Sequence, residues 1–234
     1  MSLRPAADRP AAGRPRARAA RALLTAFLLV SLVDLLGVLV PVEGAHLVAK
    51  PLLMPLLAGY AVARRAPRLL VAALCFGWGG DLLLLADDDL AFLVGMASFA
   101  AGHVCYLLLF GRRPVSRAAG AGYAVVLALF LAALFGDLPT GLRAPMAGYG
   151  LLLAAMAWRS GALGPYAAAG GALFLLSDGL IAVGVAGWTP PPAHDFLVML
   201  TYLAAQFLLV TGALRTPRGS SAVRPAYGEG RTSI

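Results

Sequence analysis

Long apolar runs, many of about 18 residues or more, recur along this chain with short polar stretches between them. That pattern predicts helices crossing a lipid bilayer. The spans fall at 20–40, 47–63, 68–86, 90–110, 118–135, 142–158, 164–186 and 194–214. Lipid-exposed backbone must satisfy its own hydrogen bonds, so each span is expected to be helical. The predicted class is an all-α polytopic membrane protein with eight transmembrane helices in one domain, 20–214. A basic disordered tail, 1–19, and a polar disordered tail, 215–234, flank it. The first run has the basic start and apolar centre of a signal peptide, with a poor cleavage motif, VEG, at 42–44. Its length, its Asp34 and the many spans after it favour a retained anchor.

Composition agrees with a lipid solvent. The 234 residues are 60% hydrophobic and 13% charged, where a soluble domain carries about 25% charged residues. A net charge of +8 invites a nucleic-acid reading. The basic residues lie in short segments rather than on one patch, which excludes it. All but two of the nineteen Lys and Arg residues fall in the two tails and in the loops after spans two, four and six. The exceptions are Arg143, in an opposite loop, and Lys50, at a helix end. This asymmetry predicts eight spans with both termini cytoplasmic. Cys75 and Cys105 lie inside apolar runs and form no disulfide framework or metal-ligand spacing. The wealth of Arg, Ala and Gly suggests a GC-rich bacterial genome, hence a bacterial cytoplasmic membrane.

Ionisable groups inside a bilayer are costly and face a protein interior or a water-filled cavity. Here they are Asp34, Lys50, Asp81, His103 and Asp178, with Tyr106, Ser177, Tyr202 and Gln206 as uncharged partners. At ~1.5 Å per residue, the three aspartates and Lys50 fall roughly 4–9 Å to the outer side of the midplane. His103 falls about 4–5 Å to the inner side and Tyr202 near the centre. Five helices thus put polar groups in one slab, which predicts one cavity opening outward. Steps of three and four place Gly95, Phe99, Gly102, His103 and Tyr106 on one face, and Gly170, Phe174, Ser177 and Asp178 on another. Tyr202 and Gln206 form an i, i+4 pair. Glycines on such faces let a neighbouring helix come close. Pro51 suits a first turn, and Pro55 removes one backbone hydrogen bond. Asp81 and Asp178 sit in similar settings, GGDLLL and LSDGLI, four helices apart, as a four-plus-four parallel duplication would give.

Each residue also has a plainer reading. Asp34 pairs with Lys50 as a structural bridge, or Lys50 snorkels to the interface. His103 is a hydrogen-bonded core histidine, and Tyr202 and Gln206 hold helices together. Asp87, Asp88 and Asp89 form a solvated turn, and Trp158 and Trp188 suit an interfacial belt. Two central acids with a single lysine at their depth, Asp81 and Asp178, resist a purely structural account.

Taken together, KPLLMPL at 50–56, GGDLLL at 80–85, the series Gly95, Phe99, Gly102, His103 and Tyr106, and SDGLI at 177–181 resemble the motifs of the YhhN-type lysoplasmalogenase family. The resemblance covers the eight spans. It implies a multi-pass enzyme, whose animal relatives hydrolyse the vinyl ether bond of lysoplasmalogens. The products are a fatty aldehyde and glycerophosphoethanolamine or glycerophosphocholine. It also implies that Lys50, Pro51, Gly80, Asp81, Gly102, His103, Tyr106, Ser177 and Asp178 belong to the shared machinery. Gly79 departs from the pattern, since family members often carry a hydroxyl residue there.

The chemistry fits these residues on its own ground. Vinyl ether hydrolysis begins with protonation of the alkene carbon, giving an oxocarbenium ion to which water adds. One acid must supply the proton, and a second carboxylate must stabilise the cation and activate water, as in glycosidases. Asp81 and Asp178 are the candidates, Lys50 is placed to hold a lipid phosphate, and His103 and Tyr106 to orient an acid or water. The scheme requires no metal or other cofactor. A proton-coupled carrier of a lipid or small solute is the competing reading, because buried Asp, Lys and His in broken helices also suit carriers. A non-catalytic scaffold is the third.

Overall fold

A computed structural model describes residues 13–40, 44–86 and 88–216. Residues 1–12, residues 41–43, which include the first two of the cleavage motif, Asp87 and the tail from 217 lie outside the described residues. Among the described residues the chain is helical, with no strand. Eight helices follow in order: α1 (Gly13–Leu39), α2 (Ala45–Ala63), α3 (Arg68–Leu83), α4 (Asp89–Phe110), α5 (Arg117–Leu134), α6 (Thr140–Ser160), α7 (Pro165–Val185) and α8 (His194–Arg215). A 3-10 turn, Gly161–Leu163, joins α6 to α7. Six of the eight, all but α3 and α6, are long and apolar enough to cross a membrane. The chain is an integral, multi-pass membrane protein.

Local chemistry sets the helix ends. Asp88 caps α4 by accepting from the Ala91 amide at 2.8 Å, and Ser116 caps α5 by accepting from Ala119 at 3.2 Å. Pro165 opens α7 after Gly164, whose φ of 95° a residue with a Cβ would adopt only under strain. The first helix starts at Gly13, inside the segment expected to be a disordered tail. The reason is the run ARAARALL: alanine and arginine are good helix formers, so the helix continues past the apolar stretch that hydropathy detects. The acidic turn shrinks accordingly, because Asp89 already belongs to α4.

Helix α2 contains Pro51 and Pro55. Pro55 has no N–H to give the carbonyl one turn back, which belongs to Pro51. The indole of Trp78, on α3, donates to that carbonyl at 2.9 Å. A backbone acceptor freed in one helix is thus satisfied by a side chain of the next.

Neighbouring helices pack pairwise, most extensively α7 with α8, α3 with α4 and α1 with α2. Further interfaces join α2 to α3, α4 to α6, α6 to α7 and α8 back to α1. Helix α5 packs chiefly on α6. The glycine face expected on α4 is buried against α3: a Cβ at Gly102 would stand 3.1 Å from the Ala73 carbonyl, and one at Gly95 3.4 Å from that of Gly80. Gly170 does the same for α7 against α8, 2.8 Å from the Ala205 carbonyl. Van der Waals packing at such close approach is what holds helices together where no hydrophobic force acts between them.

Candidate functional site

The site begins at Gly77 and Gly80 on α3. A Cβ at Gly80 would stand 2.5 Å from the Phe99 ring of α4, so only glycine lets that ring lie flat on the helix. At Gly77 the space is taken by the Gln206 amide and the Tyr202 hydroxyl of α8, 3.2 and 3.4 Å from a Cβ placed there. The two small residues therefore admit an aromatic wall and a polar chain beside Asp81, which follows directly.

Asp81 is buried, with 3% of its surface accessible. The Tyr202 hydroxyl donates to its Oδ2 at 2.7 Å. The Gln206 amide donates in turn to Tyr202 at 3.4 Å, and the Tyr106 hydroxyl donates to Gln206 Oε1 at 2.7 Å. Three side chains from α4 and α8 thus direct their protons along one path to the carboxylate. Tyr202 and Gln206 do hold helices together, and the chain they form ends on an acid.

Asp178, on α7, stands across the same cavity. It accepts a hydrogen bond from the hydroxyl of Tyr149, on α6. His103 Nε2 lies 3.1 Å from that hydroxyl. With the tyrosine proton on Asp178, the oxygen accepts from Nε2–H, and Nδ1 is left as the bare nitrogen. Nδ1 is buried without a partner among the described residues. Phe174 separates the two arrangements: its ring meets Tyr202 edge-on at 5.5 Å and His103 at 4.8 Å between centroids.

Both aspartates line a cavity of about 450 Å³. Lys50, Tyr149, Tyr202 and Ser177 also face it. The remaining walls, from α4, α5, α6 and α7, are almost wholly apolar, with Phe92, Met96, Phe130, Leu134 and Met146 among them. That is a site for a molecule with one polar and one long apolar part. The Ser177 hydroxyl donates to the Val198 carbonyl at 3.0 Å, tying α7 to α8 beside Asp178.

Of the residues singled out in the sequence, the structure brings Asp81, Asp178, Lys50, Ser177 and Tyr202 to the cavity, with His103, Tyr106 and Gln206 behind them. Asp34 stands apart. It is fully buried and pairs with His46 at 2.9 Å, so the expected bridge to Lys50 is replaced. His46 and Lys50 are one helical turn apart on α2, and the imidazole is the group that reaches the carboxylate. His46 was treated as loop, one residue before the predicted span. Tyr149 was missed altogether. Its signal was a hydroxyl within an apolar run, in GYG of the sixth span, but a lone tyrosine is common there.

The YhhN family model matches residues 45–213, which contain all these groups except Asp34. Similar proteins are the human "Lysoplasmalogenase TMEM86B", 39% identical over 64% of this chain and 65% of its own length, and the rat protein of that name, 37% identical over 64% and 63%. The bovine "Lysoplasmalogenase TMEM86A" is 30% identical over 68% of this chain and 70% of its own. The chain thus spans just under two thirds of the length of the first two relatives. No solved structure matches it.

Proposed function

The chain belongs to the YhhN family, and on that premise we propose that it is a membrane hydrolase of the lysoplasmalogenase type. Its substrate is a lysophospholipid with a vinyl ether chain, cleaved to a fatty aldehyde and a glycerophospho-alcohol. One observation carries the reading: carboxylates from two helices, each held by a tyrosine hydroxyl, face one otherwise largely apolar cavity. The relatives' names point the same way.

In the reaction, one aspartic acid gives its proton to the alkene carbon remote from the ether oxygen. Positive charge develops on the carbon bearing oxygen, opposite the second carboxylate. That carboxylate takes a proton from water as the water oxygen bonds to the cationic carbon. The hemiacetal C–O bond then breaks as the second acid gives that proton to the leaving oxygen and the first carboxylate takes the hydroxyl proton, which yields aldehyde and alcohol and restores both acids; one water has been consumed. Lys50 on the cavity wall holds the phosphate, and the apolar walls hold the chain. Tyr149 and Tyr202 fix the carboxyl groups in place.

All eight helices cross the membrane in this reading, with both termini cytoplasmic in a bacterial cytoplasmic membrane. The domain runs over 20–214 with polar tails on either side. A four-plus-four repeat is supported by the packing: α1 docks on α2 as α5 docks on α6, and α3 pairs with α4 as α7 with α8.

The test is fatty-aldehyde release from a vinyl-ether lysolipid by purified protein, with an ester lysolipid as control and Asp81→Asn and Asp178→Asn alongside. Aldehyde from the wild type alone is expected. No aldehyde from folded protein, together with proton flux in liposomes, would replace the enzyme by a carrier.

A further inference from the structure

Every pair of helices consecutive in the chain shares a packed interface except α4 and α5 among the described residues. They are joined by a short loop, 111–116, and could have packed as the other hairpins do. Instead the cavity occupies the seam. Phe92 and Met96 of α4 face it from one side, and Val126, Leu127 and Phe130 of α5 from the other. Val126 lines the cavity and is also 57% exposed, which places it on the rim.

The rest of α5 is attached elsewhere. Its inner half seats on α6, with Gly120 under the Trp158 ring and Leu127 against Gly150. Its outer end, at Leu134, and Leu138 of the loop after it pack with Ala182 of α7 and Ala186 just beyond that helix. Helix α5 is therefore held along one edge, and its α4 edge borders the cavity. Both sides of that seam are apolar, so it opens to hydrocarbon rather than to water.

We propose that the seam between α4 and α5 is the lateral entrance of the site, occupied by the aliphatic chain of a single-chain lipid coming from the bilayer. This rests on the hydrolase reading above for the identity of the lipid. A chain lying between Met96 and Val126 reaches the aspartates with its polar end first, while its far end remains in the membrane. Entrance from the side avoids taking an apolar chain through water, which would cost about 0.8 kcal/mol per CH₂.

The experiment uses an alkyl-ether lysolipid with a photoreactive diazirine midway along its chain, in vesicles holding the full-length protein. This probe has no vinyl ether, so labelling is independent of turnover. The expected label falls on the peptides containing Phe92–Met96 and Val126–Phe130 and is competed by a vinyl-ether lysolipid. Val126→Trp, which fills the rim, is expected to lower the labelling and to raise KM for a long-chain vinyl-ether lysolipid about tenfold. A short, water-soluble vinyl ether should be turned over as by the wild type. Val125→Trp, at a neighbouring exposed position outside the cavity lining, should change neither. Label spread evenly over all lipid-facing helices, or concentrated between α5 and α7, overturns the proposal, as does Val126→Trp slowing both substrates alike. Labelling of the seam without hydrolysis by the wild type upholds the entrance and removes the hydrolase reading.

Discussion

Asp81 and Asp178 face one cavity and each accepts a hydrogen bond from a tyrosine, yet the two tyrosines are backed differently. Behind Tyr202 stand Gln206 and Tyr106, and each of these groups has a partner. Behind Tyr149, among the described residues, stands only His103, whose second ring nitrogen has none. A satisfied network in a low-dielectric interior is stiff, and losing one member strands the rest. The Asp178 side already carries an unsatisfied atom and has more freedom to rearrange its protons. The lesson is that two acids can be matched in residue type and unequal in rigidity.

The largest expected effect removes the acids themselves. Asp81→Asn and Asp178→Asn should each lower vinyl-ether turnover by about 10²–10⁴, measured as aldehyde release. A loss at one position only would break the comparison outright. Next come the tyrosines. Tyr149→Phe and Tyr202→Phe should each reduce kcat by about tenfold or more. Each should also cost about 1–3 kcal/mol of stability, because Tyr202→Phe takes the acceptor of the Gln206 amide and Tyr149→Phe that of the His103 Nε2–H. Thermal unfolding in detergent reads both losses.

Backing residues sharpen the contrast. Gln206→Leu leaves the Tyr106 hydroxyl buried and unpaired, at about 1–3 kcal/mol, and adding Tyr106→Phe should recover much of that loss. His103→Leu removes an orphaned nitrogen along with its one hydrogen bond, so its stability should change by less than about 1 kcal/mol while turnover falls. Equal destabilisation by Gln206→Leu and His103→Leu would erase the distinction. Trp78→Phe, away from the two tyrosines, deletes the bond to the Pro51 carbonyl and should lower stability by about 1 kcal/mol.

Much of this was legible in the residues. Acids, a lysine and an imidazole inside apolar runs are expensive enough to mark themselves, and steps of three and four placed Phe99, Gly102, His103 and Tyr106 on one buried face. Tyr149 escaped because a tyrosine in a membrane helix carries no such cost. The Asp34 partner was misjudged because hydropathy placed His46 outside its helix. The polar slab predicted a cavity but not its place beside α5, since among the described residues α4 and α5 share no extensive interface and no local pattern marks that.

The Trp78 indole has a consequence beyond satisfying a carbonyl. Pro51 is the neighbour of Lys50, and Trp78 lies three residues before Asp81, so this one bond sets the height of the amine against that of the carboxylate. It works as a spacer between helices α2 and α3, gauging how far the Lys50 amine stands from the Asp81 carboxylate. A residue inserted between Trp78 and Asp81 would swing the acid about 100° around α3 and push it ~1.5 Å along the axis. The gauge would still be in place, reading the wrong distance.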